Sequence, residues 1–229
     1  MSCKWITAHS GCEGTPDNSE QNIRAAVQSG ADLLEVDVRR VEGQLVLTHN
    51  LPQPGETCMT LADCFRLVKA LSERIGINCD LKEEGLELDV LQLAQANGLA
   101  GRIILTGTVN PALTLPGWAM VSMNVENLLP GLYEQVWERE DKRMTAEEEL
   151  KLLAKAQQYG VTSLNMNYHL FSRGLGRRMG EAGIMFSLWT ANDEESIRSL
   201  LDCDLENLTT RLPVLACQLR QQMERGKGV

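Results

Sequence analysis

With 229 residues, 43% of them hydrophobic, the chain can bury a full core, and one domain of barrel size over 1–229 is expected. A formal charge of −9 disfavours a nucleic-acid or anionic-membrane surface, since both demand clustered Lys and Arg. The start, MSCKWITAHS, is too short and polar for a secretory signal, and no apolar run approaches the roughly 18 residues of a membrane span. A cytoplasmic protein without membrane insertion is therefore expected. Seven cysteines (Cys3, Cys12, Cys58, Cys64, Cys79, Cys203, Cys217) without CxxC pairs or nearby His argue against a zinc site and a disulfide framework. Most read as small buried apolar residues.

In chain order, short apolar runs alternate with helical patterns. KWITAH precedes the amphipathic SEQNIRAAVQSG; LLEVDV precedes TLADCFRLVKALSERIG; INCDLK precedes LDVLQLAQANG. RIILTG and AMVSMNV follow, then EEELKLLAKAQQYG, VTSLNMNY, IMFSLWT, EESIRSLLDC and LENLTT. Several helical stretches close on a glycine suited to a C-cap. Eight strands at roughly 29 residues per unit over 229 residues suit an α/β fold, a single parallel (β/α)8 TIM barrel. A doubly wound sheet is the runner-up. The charge run QVWEREDKRMTAEEE reads as a solvated helix entrance.

The stretch DLLEVDVRRVEGQLVLTHN carries two acids inside a strand pattern and ends near a histidine, His49. Residues two apart in a strand face the same side, roughly 6.6 Å apart, so Glu35 and Asp37 point together. Unpaired in an interior they would cost several kcal/mol, which calls for a positive group between them. An edge strand with one wet acidic face is the bland alternative. In a barrel, chemistry collects at the C-terminal ends of the strands, where His9, Glu35, Asp37, Asp80, Lys82 and Trp189 would meet. Singly, His9 reads as a satisfied buried imidazole, Asp80 as a helix-capping acid and Lys82 as a surface lysine. Their coincidence at one mouth favours a site.

Seven stretches recur in an ordered series: His9-Ser10-Gly11, Pro16-Asp17-Asn18-Ser19, GADLLEVDV from Gly30 to Val38, His49-Asn50, Asp80-Leu81-Lys82, Trp189-Thr190-Ala191-Asn192 and NLTTRLP. With nearly the right spacing, they resemble the glycerophosphodiester phosphodiesterase family over almost the whole chain. Its pattern runs His-Arg-Gly, Pro-Glu-Asn-Thr, Glu-x-Asp-Val, His-Asp, acid-x-Lys, Trp-Thr-x-Asn and Thr-Asp-x-Pro. The wider superfamily includes the sphingomyelinase D-like phospholipases. The resemblance implies the barrel already reached, and a small-molecule phosphodiester as substrate. It implies Glu35, Asp37 and Asp80 as ligands of a hard divalent cation, Mg²⁺ or Ca²⁺, since all-oxygen sites suit those ions. His9 and His49 become the acid–base pair, Lys82 a phosphate contact and Trp189 a pocket wall, a core role for Trp189 remaining open.

Departures from the family pattern are specific. Ser10 stands for the arginine that would fork onto phosphate, Asp17 for a glutamate and Asn50 for an aspartate. Arg39, in strand phase with Glu35 and Asp37, is a candidate for the missing cation, a position lower in the barrel wall or one at its rim being the alternatives. Asn18 suits a helix N-cap. After His49 only the short NLPQPGETC stands where many members carry an insertion, so the mouth should be more open. Ser10, Asp17, Arg39, Lys82 and Trp189 make the expected substrate-binding set; His169 fits no motif. The function so implied is hydrolysis of a glycerophosphodiester to glycerol phosphate and an alcohol. Two alternatives stand beside it: lysophospholipase D-like cleavage through a cyclic phosphate, and a degenerate barrel that binds phosphate without turnover.

Overall fold

The computed structural model describes residues 3–226. Its strands are β1 (Trp5–Ala8), β2 (Leu33–Val41), β3 (Gln44–Leu47), β4 (Gly76–Leu81), β5 (Ile103–Gly107), β6 (Met120–Val121), β7 (Met123–Asn124), β8 (Ser163–Asn167), β9 (Met185–Trp189) and β10 (Asn207–Thr210). They form one sheet in the order β6-β5-β4-β2-β1-β10-β9-β8-β7, with β3 added antiparallel to β2 and every other pairing parallel. The two ends of that order, β6 and β7, flank Ser122 in one continuous segment. Ser122 donates its N–H to Leu105 of β5 at 3.0 Å, and its hydroxyl meets that of Ser163 in β8 at 2.7 Å. The sheet thus closes on itself, and the eight predicted runs become the eight staves of a parallel barrel.

Alternation along the strands decides which side is apolar. Ile6, Ala8, Leu34, Val36, Ile77, Cys79, Leu81 and Leu208 are fully buried and belong to the core beneath the helices. Each Leu, Ile or Val so buried contributes roughly 1.5–3 kcal/mol, which makes this outer shell the main stabilising layer. The residues between them are polar and fill the barrel interior with paired groups. Thr7 donates to Asn207 (2.7 Å), Asn207 to Ser187 (3.0 Å) and Thr106 to Asn78 (2.9 Å).

The helices are α1 (Glu20–Ser29), α2 (Leu61–Leu71), α3 (Glu87–Ala96), α4 (Val125–Leu128), α5 (Leu132–Trp137), α6 (Ala146–Tyr159), α7 (Arg173–Glu181), α8 (Glu194–Leu201) and α9 (Pro213–Gly226). Side chains cap them: Ser19 for α1, Thr60 for α2, Thr145 with Glu148 as a capping box for α6, Ser172 for α7 and Asp193 for α8. The cap of α1 is Ser19 rather than the expected Asn18, whose side chain is committed elsewhere. Helix α7, which none of the predicted stretches anticipates, is lowered in helix propensity by Gly174, Gly176 and Gly180, although its apolar and charged residues separate onto two faces. No helix among the described residues is long and apolar enough to cross a membrane.

The stretch read as one strand run is a hairpin. β2 turns at Glu42–Gly43, both at positive φ (49° and 81°), as a two-residue type I′ turn requires, and returns as β3. The return brings Thr48 N to Asp37 O at 3.1 Å, which sets His49 beside the acid that the sequence separates from it by twelve residues. From there to α2 the chain is a short loop.

Candidate active site

At the C-terminal ends of the strands lies a cleft of about 440 Å³, lined by His9, Glu35, His49, Asp80, Lys82 and Trp189 among others. β2 and β4 supply its acids. Glu35 stands opposite Asn78 and Asp37 opposite Asp80 in parallel register, so all four side chains rise on the same inward face. Carboxylate oxygens of Glu35, Asp37 and Asp80 lie within 4.8 Å of one another.

These acids are electrostatically unequal. Burial, then the Asp37 and Asp80 charges, pushes the Glu35 carboxyl well above the ordinary range. For Asp37, burial acts upward too, but the Lys82 ammonium, the Asn18 amide and His49 outweigh it and hold the carboxyl low. Lys82 reaches Asp37 Oδ1 at 2.7 Å and also pairs with Asp80. Against the pull of burial, those two carboxylates raise its pKa. Lys82 is thus the positive group that the strand pattern demands, yet it touches only two of the three acids. Three buried or half-buried carboxylates with one ammonium leave an all-oxygen donor set short of positive charge, which fits a hard divalent cation.

Around the acids runs a scaffold from the β1–α1 loop. Asn18 clamps Asp37 from both sides, Nδ2 donating to Asp37 Oδ2 (2.8 Å) and Oδ1 accepting from Asp37 N (3.0 Å). Ser10 is fully buried; its N–H donates to Glu35 Oε2 (2.7 Å), and its hydroxyl accepts from Asn18 N (2.8 Å). Ser10 therefore serves the acids from behind and does not line the cleft. The part played by Asn18 was not anticipated, because an Asn in a Pro-Asp-Asn-Ser turn reads equally well as a cap.

The histidines differ in setting. His9, half-buried, has Nδ1 at 2.7 Å from the Ser10 carbonyl, which can only accept, so the ring proton sits on Nδ1 and Nε2 keeps its lone pair. Burial, aided by the Arg211 charge, holds this imidazole below its ordinary pKa. His49 is exposed, with Nδ1 at 3.3 Å from Asp37 Oδ1, a carboxylate that orients the ring.

Trp189 meets the cleft edge-to-face with Tyr133, centroids 5.9 Å apart at 79°, and Tyr133 adds a wall that no motif signalled. Arg39 turns to the hairpin rim, where it donates to His49 O (2.9 Å) and pairs with Glu83 (3.5 Å). Asp17 is exposed and takes both ends of the Arg211 guanidinium, at 3.0 and 3.2 Å. His169 stacks on Tyr168 (4.0 Å) and bonds Asn167 outside the cleft. Asn50 is exposed, and its carbonyl accepts from the Thr48 hydroxyl at 2.7 Å.

No protein-family model and no curated protein matches the chain. Solved structures do. A glycerophosphodiester phosphodiesterase from Parabacteroides distasonis aligns at TM-score 0.75 and 18% identity, covering 97% of this chain and 99% of that one. One from Thermotoga maritima aligns at 0.67 and 18%, covering 96% and 100%. A phosphodiesterase from Oleispira antarctica, solved in complex with the product sn-glycerol-3-phosphate, aligns at 0.69 and 17%, covering 96% and 97%. At such identities the likeness is one of fold, and it extends from end to end: the chain has the fold of solved glycerophosphodiester phosphodiesterases.

Proposed function

We propose that the chain is a metal-dependent phosphodiesterase that hydrolyses a small glycerophosphodiester to glycerol phosphate and an alcohol. What carries this reading is the meeting of three carboxylates, one lysine and two imidazoles in a single cleft at the barrel mouth. Glu35, Asp37 and Asp80 would hold Mg²⁺ or Ca²⁺, which would offset charge growing on the phosphoryl oxygens. The seven cysteines are unpaired, which suits the reducing cytoplasm.

The chain's own groups divide the remaining work. Lys82 lends its ammonium to a phosphate oxygen. His9, neutral and with its lone pair on Nε2, takes a proton from the attacking hydroxyl; His49, at the open rim, gives one to the departing alcohol. The hydroxyl neighbouring the phosphoryl-bearing carbon is the favoured nucleophile, because it is already tethered beside phosphorus. A cyclic phosphate forms and the alcohol leaves; water then opens the ring with the histidine roles exchanged. Such a route needs two imidazoles of different setting, which a barrel that only binds phosphate does not.

The test is a screen of glycerophosphocholine, glycerophosphoethanolamine, glycerophosphoinositol and lysophospholipids with Mg²⁺, Ca²⁺ and Mn²⁺. Hydrolysis of a glycerophosphodiester is expected. Turnover of lysophospholipids alone would move the function to lysophospholipase D-like cleavage, and no turnover of any would leave a phosphate-binding barrel.

A further inference from the structure

We propose that Arg211 supplies the guanidinium that grips the phosphate of the substrate, with Asp17 as the latch that holds it ready. The proposal rests on the phosphodiesterase reading and names a residue of that same mouth. Arg211 follows β10 directly, and its backbone is pinned between two mouth loops: its N–H donates to Asn192 Oδ1 at 2.8 Å, and its carbonyl accepts from Glu13 N at 2.9 Å. The preceding residue, Thr210, accepts the His9 N–H at 2.9 Å. Arg211 therefore starts one residue away from the strand partner of a cleft histidine.

Its side chain folds back over the β1–α1 loop. Both guanidinium ends meet the Asp17 carboxylate, and Nη1 lies 2.5 Å from where a Cβ on Gly11 would stand. Asp17 Oδ1 lies 1.9 Å from that same point, so any side chain at position 11 would evict the pair. The loop thus leaves a seat for an ion pair two residues from His9 and one residue from Asn18, which clamps Asp37.

Charge balance gives the pair a purpose. A phosphodiester anion entering the cleft meets Glu35 and Asp80, with Asp37 grouped beside them, and among the described residues Lys82 is the only lysine or arginine in the lining, Arg211 standing outside it. Lys82 is already shared by two carboxylates, and Arg39 is tied to Glu83 and the hairpin. Arg211 spends two of its five N–H donors on Asp17, leaving others for an anion. The pair is 40% and 49% exposed, so it is held weakly and can exchange the carboxylate for a phosphate oxygen. A planar fork is suited to that exchange, since it can hold both anions at once.

Calorimetric titration of sn-glycerol 3-phosphate into the metal-loaded protein, beside steady-state hydrolysis, tests this. Arg211→Gln is expected to weaken glycerol phosphate binding about 10-fold or more, the worth of a hydrogen bond to a charged group. KM should rise in step while metal affinity stays unchanged. Arg211→Lys should recover part of the loss, and Asp17→Asn should bind at least as tightly as the wild type. Wild-type-like glycerol phosphate binding in Arg211→Gln overturns the proposal, and hydrolysis by the wild-type protein would still uphold the phosphodiesterase reading. Lost binding in Arg211→Gln with no hydrolysis by the wild type would keep Arg211 as the phosphate grip and overturn that reading instead. If Arg211→Gln lacks a cooperative thermal transition, Arg211→Lys decides: glycerol phosphate binding weaker than wild type upholds the proposal, and binding equal to wild type overturns it.

Discussion

His49 Nδ1 stands 3.3 Å from Asp37 Oδ1, the same oxygen that receives the Lys82 ammonium at 2.7 Å. One carboxylate thus orients an imidazole, anchors a lysine and faces two further acids. Asp37→Asn keeps the shape but removes the charge that both His49 and Lys82 use. It is expected to cut metal affinity by at least about 10-fold and activity by about 100-fold or more. The Asn18 clamp can still form one of its two bonds, through the backbone N–H of residue 37, so the melting temperature should move little. Calorimetric metal titration beside a thermal scan checks this; unchanged metal affinity would place Asp37 outside the cation's ligands.

His9 gives a prediction with a definite sign. Burial, chiefly, holds its pKa below 6.5, so the folded protein binds fewer protons on this ring than the unfolded chain does. The stability this provides is present above pH 6.5 and is lost as pH falls through the lowered folded value. His9→Ala should therefore flatten the decline of melting temperature on the acid side. In activity the same shift places the acid limb of kcat/KM below 6.5, because only neutral His9 can take a proton. Loss of kcat by roughly 100-fold or more in His9→Ala is expected. A limb that stays put in a His9 variant of measurable activity would assign it to another group.

Much of this site is legible in the sequence, and what is not fails for physical reasons. The eight apolar runs announce the staves because inward polar residues leave every second position apolar, and Glu35, Asp37, Asp80 and Lys82 then fall on one face by period alone. Arg39 shares that phase, but by residue 39 the strand has left the barrel and pairs with β3, so phase no longer points inward. The hairpin itself hides behind Glu42, which adopts a turn conformation more usual for Asn or Gly. Arg211 and Asp17 are 194 residues apart and meet only because β10 closes the barrel against β1. No local pattern carries that pairing.

Ser10 illustrates how position overrides family pattern. Seen as a missing arginine, Ser10→Arg would be a gain in phosphate binding. The side chain is, however, fully buried and its hydroxyl accepts from Asn18 N. An arginine there must displace the β1–α1 loop, at about 1–3 kcal/mol for overpacking, and it leaves a buried donor unpaired. Ser10→Arg should lower the melting temperature and raise KM. A lower KM at unchanged stability would mean that the loop has room for the guanidinium after all.

The nucleophile is open to the sharpest chemical test. His9 Nε2 can serve either water or a hydroxyl of the substrate, but the two differ greatly in effective concentration. A hydroxyl on the carbon next to the phosphoryl-bearing one is tethered near phosphorus, and effective molarities of well-oriented intramolecular attack are on the order of 10⁵ M or higher. Against that advantage, water must be positioned by the cleft alone, and the His49 side chain at its edge is 63% exposed. A glycerophosphodiester should therefore react through a cyclic phosphate, and its 2-deoxy analogue, bound equally well through phosphate, should fall in kcat rather than in KM. Following ³¹P spectra during turnover should reveal the cyclic signal rising and then decaying. Equal kcat values for the two substrates, with no cyclic species, would assign the attack to water and leave His9 as the base that activates it.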